Sequence, residues 1–593
     1  MRDRWRAIRM LARMAFATDP WRTLGLLLEP LGQLTPPIIA VCLKVMTDGV
    51  LHHDPVSVVV GAAGIAGARA LWFVGAWTGS WLRVRLMEEV GFAFDREIAT
   101  LTASIPGLDH QERADYQDRL ELLRQSQGLL GYSVNSLIYT VNIVVSGLAT
   151  LVTLAVLSPW LLLLVLFVLP SIPIAAAHQR WSRAAEERSA APARLARHLR
   201  GLTTDRDAGM ELRVFGLRRE ILARFRTAWT DSMRARLTTE RRAAVLANVR
   251  DLIFAVGFGG AILLALWRAA AGHGTIGEVV ITVYRCQRMQ AAVMSPIQAV
   301  AALGSVLRAA DRMLWLREYA GSVAARGSGS GPAPERIRDG IAFERVSFRY
   351  PGTEAWALRD VSLHIPAGTV VALVGENGAG KTTLVKLLCR MYEPTKGRIL
   401  VDGVDLAGID VHQWRQRLSA AFQDFARLEF TAHHTVGLGD LSRLDDVQAV
   451  GSALDRAGAS DVLPHLPDGA DTRLGSSWDN GVELSTGQWQ KLALGRALMR
   501  ERPLLVFFDE PTASLDAQTE HGLFERYAAT ARSGSDRGMV TVLVSHRFST
   551  VRTADLIVVV DDGEISEVGS HEELLARTGP YAELYDLQAR SYR

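Results

Sequence analysis

The stretch that most constrains this chain is Gly375-Glu376-Asn377-Gly378-Ala379-Gly380-Lys381-Thr382-Thr383. The apolar run Val370 to Val374 precedes it and reads as a buried strand. Leu384 to Leu388 follows and reads as the start of a helix. Strand, glycine loop and helix together form the context of a phosphate-binding P-loop. The glycines let backbone N–H groups close around a polyphosphate, and the helix N-terminus adds positive potential there. In that arrangement Lys381 reaches the β- and γ-phosphates and the Thr382 hydroxyl ligates Mg²⁺. The GxxxxGK[ST] spacing is complete, so the chain is expected to bind a nucleotide. The motif does not say what the nucleotide drives.

Two further strand ends carry polar groups. Pro503 to Phe508 is an apolar run that ends in Asp509-Glu510. Beside a P-loop, the first carboxylate suits Mg²⁺ and the second suits polarising the attacking water. Met539 to Val544 is another such run, followed by Ser545-His546, where a histidine could contact the γ-phosphate.

The remainder of the 593 residues is not uniform. Hydrophobic residues make up 49%, and long apolar runs crowd the first half. Arg2, Arg4, Arg6, Arg9 and Arg13 interleave with Trp5, Ile8, Met10, Leu11 and Phe16, like a basic helix lying on a membrane surface. Six spans are predicted, over about Leu24–Met46, Val56–Leu82, Val134–Leu157, Trp160–Ala177, Val245–Trp267 and Ile276–Leu303. Each is near the ~20 residues that cross a bilayer. The sixth is the least apolar. Arginines crowd the N-terminus and the connections 83–131 and 178–242, while 48–55 and Ser158-Pro159 have no Lys or Arg. The positive-inside rule then places the N-terminus, both long connections and everything after the sixth span in the cytoplasm. Glu29, Lys44 and Arg69 are costly in lipid, so they line a path, pair between helices or snorkel near a helix end.

Net charge is only +3, which gives no nucleic-acid signal. Cys42, Cys286 and Cys389 are far apart, show no metal-ligand spacing and point to a disulfide-free context. No cleavable signal peptide is expected, because the first apolar segment is long and lacks a small-residue cleavage site. Ala324 to Pro334 is a Gly/Ser/Pro-rich linker. The predicted organisation is a transmembrane domain over 1–320, a linker over 321–340 and a nucleotide-binding domain over 341–593.

With these motifs in order, the sequence resembles the ATP-binding cassette family over nearly its whole length. The P-loop matches the family's Walker A, and Leu504 to Asp509 its Walker B, with Glu510 at the catalytic glutamate. Leu484-Ser485-Thr486-Gly487-Gln488 resembles the signature motif. Gln423 resembles the Q-loop glutamine, Ser514 to Ala517 (with Asp516) the D-loop, and His546 the switch histidine. Tyr350 matches the aromatic that stacks on adenine. One departure stands out: the signature's first glycine is Thr486 here, and a side chain there could crowd the phosphate of the facing subunit. Glu211 to Gly216 and Gly107 to Glu112 resemble the loop stretches that couple spans to cassette.

The resemblance implies a multidomain membrane protein, with an N-terminal all-α six-helix transmembrane domain followed by an α/β P-loop NTPase cassette. It implies ATP and Mg²⁺ as ligands. Gln423 joins Thr382 and Asp509 at the metal, and Glu510, His546 and Gln423 act in hydrolysis. The implied function is ATP-driven efflux of a peptide, lipid or drug-like substrate by a multi-pass protein of the bacterial cytoplasmic membrane, its cassette in the cytoplasm. A non-transport cassette ATPase is the rival class, and the apolar spans argue against it. Retained Tyr350, Gln423, Glu510 and His546 favour a homodimer, while Thr486 favours one half of a heterodimer. No peptidase-like domain precedes the first span, so leader processing is not expected.

Overall fold

The computed structural model describes residues 2–157, 163, 166–167, 169–273, 275–326, 329–509, 538–545 and 551–591. The chain divides into two compact units: Met1–Ala99 with Leu122–Trp315, and Thr100–Glu121 with Leu316–Arg593.

The first unit is helical. Its elements are α1 (Arg2–Thr18), α2 (Pro20–Leu26), α3 (Thr35–Leu51) and α4 (Pro55–Ser104, of which the part to Ala99 belongs here). Asp19 caps α2 by accepting from the Arg22 N–H, and Pro20 takes the first helical position. The first predicted span is broken. A 3₁₀ turn over Glu29–Leu34 separates α2 from α3, where Pro30, Pro36 and Pro37 deny the backbone its regular hydrogen bonds. Small residues bring α3 against α4: a Cβ on Gly61 would lie 2.7 Å from the Met46 Cβ, and one on Gly64 would lie 2.5 Å from the Cys42 sulfur. That close approach is how helices associate where lipid removes the hydrophobic incentive.

Along the chain come α5 (Asp109–Glu112), α6 (Ala114–Gln125), α7 (Gln127–Gly131) and α8 (Ser133–Leu157). Then follow α9 (Ser171–Thr204), α10 (Arg206–Val214), α11 (Arg218–Ala270) and α12 (Ile276–Arg326). Helices α9 and α11 pack along one another. Among the described residues, four helical stretches are long and apolar enough to cross a membrane: Pro20–Leu51, Pro55–Ser104, Ser133–Val152 and Arg218–Ala270. These hold the first, second, third and fifth predicted spans. Six of the eighteen residues of the fourth, Trp160–Ala177, lie outside the described residues. The sixth falls on α12, which is continuous through Pro296 but less apolar.

Two of the charges inside the spans, Glu29 and Lys44, pair between elements, and Arg69 packs within its own helix. Glu29 meets Arg83 at 3.2 Å and accepts from the Asn142 amide at 3.0 Å. Lys44 meets Glu278 at 3.7 Å, and the Arg69 guanidinium sits 6.0 Å from the Trp72 ring centre.

The second unit carries two sheets. Strands β1 (Gly340–Phe348), β2 (Leu358–Pro366), β4 (Lys396–Val401) and β5 (Val404–Asp405) form an antiparallel sheet in the order β2-β1-β4-β5. Strands β3 (Val370–Val374), β6 (Leu418–Ala421), β7 (Leu505–Asp509), β8 (Val540–Val544), β9 (Leu556–Asp561) and β10 (Glu564–Gly569) form the other, in the order β10-β9-β3-β8-β7-β6. Every pair in it is parallel except β9–β10.

Both faces of β3 are covered, which explains its unbroken apolar sequence. Val370, Ala372 and Val374 enter one core with Phe508, Trp489 and Leu492. Val371 and Leu373 enter the other, with Phe507, Leu384 and Phe343. Helices α13 (Lys381–Leu388), α14 (Val411–Gln416), α15 (Ala432–Gly437), α16 (Val447–Arg456), α17 (Thr486–Ala497), α18 (His571–Arg577) and α19 (Pro580–Ser591) complete the unit.

Candidate functional site

Three parallel strands set the site. The P-loop leaves the C-terminal end of β3, and β8 lies between β3 and β7, with Leu373 opposite Val544 and Val544 opposite Asp509. Ligands of open α/β sheets bind at such carboxyl ends.

The loop conformation needs its glycines. Gly375, Gly378 and Gly380 have φ of 151°, 87° and 110°. A Cβ on Gly375 would lie 2.1 Å from the Val560 carbonyl oxygen, and one on Gly380 would lie 2.8 Å from that of Ala357. Glu376, Asn377 and Ala379 fill the loop between them, and the Ala379 carbonyl accepts from the Gly563 N–H. Lys381 is 7% exposed, and its Nζ donates to the carbonyls of Gly375 and Glu376, 2.8 Å each. The ammonium is thereby folded into the loop that a polyphosphate would occupy.

Helix α13 is held at its far end. Trp414 donates to the Leu388 carbonyl at 2.8 Å, and Arg415 donates to the carbonyls of Cys389 and Arg390. Side-chain donors there satisfy carbonyls that have no partner within the helix. Cys389 is sealed in this corner, and burial pushes its thiol up to about 12.

Asp509 ends β7 and is 3% exposed. The Thr382 hydroxyl donates to its Oδ2 at 3.2 Å. A hydroxyl and a buried carboxylate beside a phosphate cradle are hard oxygen donors, the set that suits Mg²⁺. Gln423 is exposed two residues beyond β6, whose Ala421 stands opposite Phe508 of β7. It therefore emerges beside the Asp509 strand.

Thr383, the last residue of the motif, meets the Tyr350 hydroxyl at 3.0 Å. The Tyr350 ring packs edge-on against Phe348 and Tyr392, with centres 5.1 and 5.4 Å away, and Lys386 Nζ stands 5.3 Å from it. Tyr392 and Lys386 escape motif reading, since neither belongs to a spaced pattern. Only the position of Lys386 one turn beyond Thr382 on an expected helix could have drawn attention to it. Burial raises the Tyr392 phenol well above its ordinary range.

The signature stretch begins α17. Ser485 caps that helix in a reciprocal pair with Gln488: the Gln488 N–H donates to Ser485 Oγ, and the Ser485 N–H donates to Gln488 Oε1. Their hydrogen bonds close on their own helix and do not reach the P-loop. Thr486 is the first helical residue and is exposed, with Gly487 next to it. Glu510, Asp516 and His546 lie outside the described residues.

The second unit also includes the stretch around Gly107–Glu112. The Leu108 N–H donates to the Met391 carbonyl at 3.0 Å, just beyond α13. His110 is 2% exposed, and burial lowers its tendency to take a proton.

Comparison with known proteins agrees with this geometry. The family model described as ABC transporter matches residues 358–513. The ATP-dependent lipid A-core flippase of Chromohalobacter salexigens is 36% identical over 357 residues, 60% of this chain and 58% of that protein. The flippase of the same name from Ralstonia nicotianae is 42% identical over 256 residues, 43% of this chain and 42% of its own. The chain thus spans about half the length of these two relatives. A third, from Chromobacterium violaceum, is 29% identical over 598 residues, 99% of this chain and 98% of its own. The solved structure of a bacterial Atm1-family ABC exporter with ATP bound shares the fold, with a TM-score of 0.73 and 24% identity over 97% of this chain and 99% of that one. From these comparisons, this chain carries an ABC transporter domain over residues 358–513 and shares, along nearly its whole length, the fold of the ABC exporters.

Proposed function

We propose that this chain is an ATP-driven exporter of a lipid-like amphiphile across the bacterial cytoplasmic membrane, working as a homodimer with its cassettes in the cytoplasm. One observation carries the reading: a complete P-loop whose Thr382 hydroxyl meets the Asp509 carboxylate, in a chain that also has four long apolar helical stretches among its described residues. The lipid class is supported by the relatives, which are named ATP-dependent lipid A-core flippases.

In this reading the backbone N–H groups of Gly378 to Thr383 receive the β- and γ-phosphates, and Lys381 leaves the carbonyls of Gly375 and Glu376 for them. Thr382, Asp509 and Gln423 would hold Mg²⁺, which supplies charge neutralisation at the transferred phosphoryl group. Tyr350 gives up its bond to Thr383 and stacks on the adenine. Glu510 polarises the attacking water and His546 contacts the γ-phosphate. Ser485, Gly487, Gln488 and Asp516 serve the nucleotide of the facing cassette, so two cassettes are needed. Binding of ATP favours the closed pair, and hydrolysis releases it. Transport is thus a population shift driven by differential affinity.

Thr486 supports a second reading, in which this chain is half of a heterodimer and its relaxed signature serves the less active site. Co-reconstitution decides between them. The chain alone in proteoliposomes, with a fluorophore-labelled lipid, should show ATP-dependent transfer between leaflets. Transfer that requires a second half-transporter favours the heterodimer, and no ATP-dependent transfer with either overturns the lipid-export reading.

A further inference from the structure

The first unit holds a cavity of about 370 Å³ between α8, the 3₁₀ turn and α4, with Glu29, Arg83, Tyr139, Asn142, Ser146 and Thr150 among its lining. The size suits a small ligand group. The four residues from α8 recur at spacings of three and four, so they form one polar stripe on an otherwise apolar helix. A stripe of this kind in a membrane-spanning segment needs an explanation, because polar groups there are costly.

The lining has a definite chemical character. Its two charges are opposite and joined at 3.2 Å, so they cancel. The Asn142 amide spends a donor on Glu29 Oε1, and the Thr150 hydroxyl spends its donor on the Ser146 carbonyl. The buried lining atoms left without a partner are acceptors. Glu29 Oε2 and Asn142 Oδ1 are buried and have no hydrogen-bond partner among the described residues. Asn142 is 7% exposed. Gly79 leaves the space for the carboxylate, since a Cβ there would lie 3.0 Å from Glu29 Oε2. Buried acceptors without donors are unfavourable, and a ligand that donates to them removes the penalty.

We infer that this cavity is a subsite for an uncharged, hydroxyl-rich head group, and that the Glu29–Arg83 pair selects it against both phosphorylated and amine-bearing head groups. Hydroxyls supply the donors that Glu29 Oε2 and Asn142 Oδ1 need. The pair is neutral as a whole, so an ionic head group would lose its hydration here without gaining an unmatched counter-charge, which costs more than burying a neutral hydroxyl. The inference rests on the membrane-exporter reading and narrows its substrate.

The test uses the full chain in nanodiscs, with three lipids at equal mole fraction: monoglucosyl diacylglycerol, phosphatidic acid and stearylamine. Native mass spectrometry reads which lipid is retained, and ATPase is read in parallel. The glucosyl lipid should be retained over the other two by about five- to tenfold, the scale of one buried hydrogen bond made or lost. Glu29→Gln leaves Arg83 uncompensated and should turn the preference to phosphatidic acid. Glu29→Gln with Arg83→Gln should restore the neutral preference. Wild-type preference for a charged lipid, or an unchanged ranking in Glu29→Gln, overturns the inference. Should Glu29→Gln fail to fold, Asn142→Leu takes its place, and undiminished glucosyl-lipid retention in that variant overturns the inference equally. Selective retention without any lipid effect on ATPase would count against the export reading while upholding the subsite.

Discussion

The Thr382 hydroxyl and the Asp509 carboxylate meet at 3.2 Å, tying the first turn of α13 to the end of β7. Residues 127 positions apart thus present two oxygens to one point beside the phosphate loop. Asp509→Asn keeps the shape and removes the charge. The Mg²⁺ concentration giving half-maximal ATPase should rise about 10-fold or more. An unchanged Mg²⁺ titration would remove Asp509 from the metal site.

Lys381→Ala removes the ammonium that now bonds the Gly375 and Glu376 carbonyls. ATP affinity should fall by at least about tenfold, the scale of one lost charge-assisted hydrogen bond. Titration with a fluorescent ATP analogue measures it, and wild-type affinity would refute the role.

Glu510→Gln should leave ATP binding intact and lower hydrolysis on the order of 10²-fold, as loss of a general base typically does. It should also trap a closed, nucleotide-bound dimer visible by size-exclusion chromatography with retained radiolabelled ATP. Full turnover in the variant would mean another group activates the water.

Thr486 is exposed on the first turn of α17, beside an intact Ser485–Gln488 cap. Thr486→Gly should therefore leave thermal stability within about 1 kcal/mol, the propensity difference at a helix end. If the side chain restrains the composite site, ATPase rises in this variant. Unaltered ATPase would show that the side chain is tolerated.

Cys389 gives a pH test. Burial holds its thiol near 12, so the reactive thiolate stays scarce at every pH below that. In folded protein at pH 8.5, N-ethylmaleimide should leave Cys389 unlabelled by peptide mass spectrometry, and denaturation should make it react. Prompt labelling of the folded chain would show the α13 corner to be open.

Much of the cassette was legible because its chemistry is local in sequence. Gly375 to Thr383 carry spacing, conformation and ligand chemistry in nine consecutive residues. Asp509 could be placed because an apolar run sets a strand end. Tyr392 and Lys386 were not legible: Lys386 meets Tyr350 from within α13, and Tyr392 reaches it only because the chain turns after α13. In the helical unit, Glu29 stood out as costly, but its partners Arg83 and Asn142 lie 54 and 113 positions away. Nothing in a single sequence ties such residues together. The break in the first predicted span was foreshadowed by Pro30, Pro36 and Pro37, although length and hydropathy alone suggest one continuous helix.

The position of β8 between β3 and β7 turns the sheet into a ruler. Two strand spacings, about 10 Å in all, separate the phosphate loop's strand from the one that ends in Asp509. Stretching that gauge would tear two ladders of backbone hydrogen bonds. The gap between the two strand ends is therefore fixed by the pitch of the backbone itself, and any stroke this unit makes must carry β3, β8 and β7 as one plate, with the give confined to the loops at its rim.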